Sequence, residues 1–320
     1  MTKPKFSFSS TVCCLLSFVF CLLFLSGCAQ KVTYPSDSVT QSVEKICRDE
    51  NDLYVQAQVA GKTLGAILYL KELVDSTGQV PKQVHEKMGK VMEAVTRVGL
   101  STDLQIDFCV VVIRDQKQGN ELVITRALDD TKRANAEAVG IEESINRTLF
   151  GQGRYQPLPS GKPPFKLQEV YLENFLADQI AQRIRFNFSK DSKNAPENPL
   201  VLADGSFVLG PDGKRNFHFS MVGFKAKDPK ENILGMLHIA TDVFQGYKFS
   251  SFDTLELRDY LNRQKLAVDQ KTFLAFQQKK ISEKELLSQY LTESQSIQEA
   301  FKLFGFSLPP DPENTSKNLK

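Results

Sequence analysis

Residues 53–70 read LYVQAQVAGKTLGAILYL. Leu53, Val55, Ala57 and Val59 alternate with polar residues. After Ala60-Gly61-Lys62, Leu64, Ala66, Leu68 and Leu70 alternate again. Successive side chains of a strand point to opposite faces, so a period of two on both sides of a glycine turn predicts a β-hairpin. Downstream, Val84, Met88, Val91, Met92, Val95 and Val98 fall on one helical stripe. Pro81 suits the first turn of that helix and Gly99 its end. Residues 106–113 are apolar on both faces and read as a covered central strand, with a polar loop at 115–120 and a returning strand at 122–125. Residues 129–149 read as helical, with Ile141, Ile145 and Leu149 in step, and 43–47 as a short helix before the hairpin. This order predicts an α+β fold of antiparallel sheets with helices packed on one face.

The second half is less regular. Residues 151–165 are rich in glycine and proline and read as a linker or long loop. Leu172, Phe175, Leu176, Ile180 and Ile184 share a helical face. Residues 200–209 suggest a strand pair around Asp204-Gly205, followed by the turn Pro211-Asp212-Gly213. Residues 217–225 and 233–241 read as two strands joined near Pro229. Residues 254–266 and 272–279 read as helices, and Ser282 with Glu285 forms a capping box for another. Its stripe (Leu287, Tyr290, Leu291, Ile297, Phe301, Phe304) suits packing against the body or a protein partner. The expected units are therefore 43–150, 166–253 and a helical segment 254–307, with a frayed tail at 308–320. The second half loosely echoes the first, without a residue-level repeat.

The N-terminus carries an address. Lys3 and Lys5 precede a nearly unbroken apolar run over 12–24, which ends in Leu25-Ser26-Gly27-Cys28. The layout is that of a signal peptide, and the ending resembles the lipobox of bacterial lipoprotein signal peptides. The resemblance implies export, removal of residues 1–27 and lipid attachment at the Cys28 sulfur. The run is well short of the roughly 20 residues of a spanning helix, so a retained anchor and an unlipidated secreted form are weaker alternatives. Residues 28–42 then read as a tether to the membrane. Ala29 after the cysteine leans by analogy towards the periplasmic face of an outer membrane.

Composition bounds the rest. Without Lys3 and Lys5 the chain is neutral, so no basic excess drives nucleic-acid binding. With 23 Phe and 8 Tyr, a substantial core can form. Besides Cys28, Cys47 and Cys109 survive processing, as a possible disulfide or as buried apolar residues. No cofactor, metal or nucleophile-elbow motif stands out; His85 lacks the second histidine of a zincin helix. On paired strands, His218 and His238 would be diagonal neighbours, which makes them the weak catalytic candidates. The expectation is a lipid-anchored envelope protein without enzymatic activity, a scaffold, assembly or accessory factor with a protein partner. The alternatives are a small-ligand-binding lipoprotein and an envelope hydrolase.

Overall fold

The computed structural model describes residues 33–75, 77–155, 165–190, 201–223, 228–293, 300 and 303–305. The chain forms two units with the same order of elements. Unit 1 contains α1 (Val39–Asn51), β1 (Val55–Ala60), β2 (Thr63–Leu70), α2 (Lys82–Leu100), β3 (Phe108–Asp115), β4 (Asn120–Ala127), α3 (Leu128–Asn135), α4 (Ile141–Asn146) and β5 (Leu149–Arg154). Unit 2 contains α5 (Leu172–Lys190), β6 (Leu202–Leu209), β7 (Arg215–Val222), α6 (Pro229–Gly246), β8 (Thr254–Asp259), β9 (Gln264–Asp269), α7 (Gln270–Gln277), α8 (Glu283–Tyr290) and β10 (Leu291–Glu293). The strand orders are β1-β2-β3-β4-β5 and, read in the same sense, β6-β7-β8-β9-β10.

The fold is α+β, and each sheet is mixed rather than wholly antiparallel. In both units the second and third strands pair in parallel and every other neighbour is antiparallel. A parallel pair needs a crossover, and α2 and α6 supply it. The hairpin quoted first is present, from Val55↔Leu68 to Ala60↔Thr63.

The repeat extends to residues. Ile113–Leu122 reads IRDQKQGNEL and Leu257–Leu266 reads LRDYLNRQKL. Asp115 and Asp259 close the third strand of each unit, and both are fully buried. Asp115 accepts from the turn amides of Lys117 and Gln118, and Asp259 from that of Asn262. Four residues after each aspartate the turn needs a positive φ, taken by Gly119 (73°) and Arg263 (53°). Buried turn amides need acceptors, and these aspartates provide them.

Helices α1 and α2 cover one face of sheet 1, where Val43, Cys47, Leu64, Val91, Val95, Val111 and Ile113 form a core. Phe165 and Leu167, ahead of α5, cover the other face. In unit 2 a phenylalanine-rich core gathers Phe217, Phe219, Phe244, Phe252 and Phe273. That core also takes in Phe108 and Ala127 of unit 1, and the rings of Phe108 and Phe175 lie 5.1 Å apart. The units thus share one hydrophobic cluster. No helix among the described residues is long and apolar enough to cross a membrane.

Several expectations are corrected. Residues 233–241 belong to α6, capped by the Asp228 side chain with Pro229 at its first turn. Their apolar residues are buried at helical spacing (Ile233, Met236, Leu237, Ala240), not on one strand face. Residues 254–266 hold β8, a turn and the start of β9 instead of a helix, so the segment 254–307 is not helical throughout. Residues 202–209 are one strand, and Gly151–Arg154 lies in β5 instead of a linker. Of the tether, Thr33 and Tyr34 donate backbone hydrogen bonds to Ser101 O, and α1 already starts at Val39. Residues 1–32 and 306–320, with Cys28, Ile297 and Phe301, lie outside the described residues.

Candidate functional site

In sheet 1, Leu122, Ile124 and Arg126 of β4 point to the helix-covered face, because they stand opposite Ile113, Val111 and Cys109. Helix α2 covers β2 and β3 but leaves the β4–β5 side of that face open. The result is a cleft of about 560 Å3 between α2, α3 and the outer strands. Met88, Met92 and Ile124 form its apolar wall, Phe150 its rim, and Arg126 with Thr148 its polar side. It adjoins a hollow of about 610 Å3 that passes β5 to Arg185 and Phe186 of α5. Phe150 and Phe186, exposed by 46% and 45%, both border this hollow. These volumes suit a drug-sized molecule, and an apolar wall with few polar groups is the usual character of a ligand pocket.

Arg126 is the unusual residue of the cleft. Its Nε donates to Thr148 Oγ1 at 3.2 Å, and it makes no ion pair among the described residues. Burial pushes its pKa down, against weaker upward pulls from Cys109 and Asp130. Asp130 is itself committed elsewhere. It pairs with Arg147 Nη1 at 2.8 Å and accepts from the Tyr247 hydroxyl. Thr131, which lines the same cleft and is nine-tenths buried, has a hydroxyl without a hydrogen-bond partner. Thr96 Oγ1 and Arg97 Nε, also along the cleft, are buried without a partner too. Unpartnered buried polar groups are costly, so a cleft lined by them beside a guanidinium without an ion pair is suited to a polar ligand.

The expected site residues are placed as follows. His218 is on β7 and His238 on α6, so the proposed pair does not form. His218 Nδ1 lies 3.6 Å from Glu256, and His238 Nε2 lies 3.0 Å from Glu283. Each imidazole therefore contacts its own glutamate, far from the other. Cys47 and Cys109 are free and buried, not bridged. Cys47, on α1, lies in the unit 1 core and Cys109 packs against Gly99 of α2, so each fills space as an apolar residue would. His85 borders the cleft. No group of three or more His, Cys, Asp or Glu among the described residues is placed to hold a metal ion.

Arg126 was missed in the sequence. The strand was read only to Thr125, although the alternation Leu122, Ile124, Arg126 puts a charge in line with helix-facing apolar residues. That break in a period of two is the signal that marks it.

No family model matches the chain, and no curated protein matches it. Among solved structures, that of the sex pheromone staph-cAM373 precursor is similar at 13% identity over 74% of this chain and 78% of that chain. Its TM-score is 0.18, too low for the likeness to carry an argument.

Proposed function

We propose that this is a lipid-anchored binding protein of the bacterial envelope that holds a ligand in the α2–β4 cleft and does no chemistry on it. One observation carries the proposal: an apolar cleft with an unpaired guanidinium at its side. The helix that would have displayed an apolar docking stripe supports the same reading. Leu286 is buried, and Leu287 and Tyr290 pack against the unit 2 core. The lipobox ending at Cys28 supports the anchor, because two or more acyl chains hold a protein stably to a membrane. The anchor is tested by growth with radiolabelled palmitate. Wild type takes up label, whereas Cys28→Ala does not; label retained on Cys28→Ala would refute the anchor. The cleft is tested by filling it with Met92→Trp. Compounds that raise the melting temperature of the wild type are expected to lose that effect on the filled variant.

A second reading, an assembly or accessory factor, has its own observation. Ile141 and Ile145 of α4 are exposed by 84% and 55% at i and i+4, an apolar pair turned to solvent. Crosslinking from position 141 in whole cells tests that reading, which fails if no envelope protein is captured.

A further inference from the structure

The two units pose the same structural problem and solve it differently. In unit 2, α7 and α8 follow β9 and bury Phe273, Phe276 and Leu286 in the core beside α6. In unit 1, α3 and α4 follow β4 in the same places. Helix α4 buries no residue, and α3 turns Thr131 and Asn135 to the cleft. With Asp115 set against Asp259, Arg126 corresponds to Gln270, whose amide is spent on the Ser250 carbonyl. Unit 1 thus keeps open a space that its own repeat closes with aromatic and aliphatic side chains.

Resting on the binding function above, we infer that the cleft takes a monocarboxylate with an apolar chain, the carboxylate on Arg126 and the chain along Met88, Met92 and Ile124. The planar guanidinium fork matches a carboxylate in two parallel hydrogen bonds. Nε is already used by Thr148, which leaves the terminal nitrogens to a ligand. Thr131, in the wall of the same cleft, has a buried hydroxyl without a partner. A phosphate would carry two charges to one cation. Arg97, also at the cleft, is engaged with Glu50 at 2.6 Å. The methionines suit an alkyl chain, being unbranched and adaptable.

The test is calorimetric titration of the lipid-free protein (residues 29–320) with decanoate, decanol and inorganic phosphate. Decanoate is expected to bind roughly tenfold to a hundredfold more tightly than decanol, the range for a hydrogen-bonded charge pair. Phosphate is expected not to bind. Arg126→Gln should bring decanoate down to the level of decanol, with the melting temperature measured in parallel to confirm the fold. Equal affinity of the wild type for decanoate and decanol overturns the carboxylate inference without any variant. Tight phosphate binding that Arg126→Gln removes overturns it in favour of a phosphate site. Met92→Trp separates the two levels. If it abolishes decanoate binding but Arg126→Gln does not, the cleft stands and the carboxylate falls. If neither substitution weakens decanoate, both fall.

Discussion

Glu256 shows how much one carboxylate can depend on its neighbours. It lies on the face of sheet 2 away from the helices, with Lys265 Nζ at 2.8 Å, His218 at 3.6 Å and the Arg258 guanidinium in contact. Burial alone would raise its pKa, but His218, Lys265 and Arg258 outweigh it and hold Glu256 at about 2, against an ordinary 4.5. A depressed carboxylate contributes stability that is present above its unfolded pKa and lost as pH falls through the folded one. The window is therefore pH 4.5 down to 2, and the contribution is on the order of 2–3 kcal/mol. Urea melts of wild type and Glu256→Gln should differ by that amount at pH 6 and converge near pH 2; a constant gap would sink the assignment. The thiols make a second case. Burial pushes Cys47 up to about 11 and Cys109 up to about 12, and thiolates are the reactive form. In the lipid-free protein (residues 29–320), whose cysteines are Cys47 and Cys109, dithionitrobenzoate at pH 8 should release almost no thionitrobenzoate from the native state and two equivalents in urea. Cys109 as a buried small residue was legible from its apolar neighbours Phe108 and Val110. The histidine pair was not, because one mistaken strand moved His238 onto the wrong element.

At the scale of elements, α5 approaches β6 closely at Gly205. A Cβ on Gly205 would stand 2.4 Å from Ala177 O and 2.9 Å from the Phe219 ring. Backbone cannot yield as a flexible side chain can, so Gly205→Ala should cost about 2–3 kcal/mol through overpacking. Chemical denaturation measures this; a loss below about 0.5 kcal/mol would mean that α5 moves freely off the strand. Sequence spacing led first to a turn at Asp204-Gly205, although this glycine is a contact and not a bend. The same confusion decided other elements. Residues 53–70 were legible because one face of each strand is polar, and Ser282 with Glu285 forms the expected capping box. Helix α6 was misread because its residues Ile239, Ala240 and Thr241 are buried too, which blurs the polar face that normally reveals a helix. In 254–269 the strand alternation is short and ends at buried Asp259, a polar residue in an apolar place, so the period was lost.

At the scale of the molecule, the repeat was hidden because its two copies diverge wherever packing differs and agree mainly at a turn, IRDQKQGNEL against LRDYLNRQKL. Only strand register aligns Asp115 with Asp259. The two units are held together by polar as well as apolar contacts. Asp130 of α3 bonds both Arg147 and Tyr247, the residue that ends α6. Gln179 of α5 donates to the Arg147 carbonyl at 2.9 Å, and Arg133 to that of Gly246 at 3.0 Å. The Arg147 side chain is 8% exposed and also pairs with Glu143 at 2.8 Å. Removing one partner of a buried pair strands the other, which typically costs 3–5 kcal/mol. Glu143 remains to Arg147, so Asp130→Ala should cost about 3 kcal/mol, the lower end of that range. Tyr247→Phe, which leaves no charge unpaired, should cost about 1 kcal/mol. Both act through one carboxylate, so the double variant should lose less than the sum of the two. Because Phe108 and Phe175 keep the shared core in contact, each variant should still unfold in a single transition by far- and near-ultraviolet circular dichroism. Additive losses would show that Asp130 does not bridge the units. Two separated transitions would show that the polar bridge, and not the phenylalanine core, makes them fold as one.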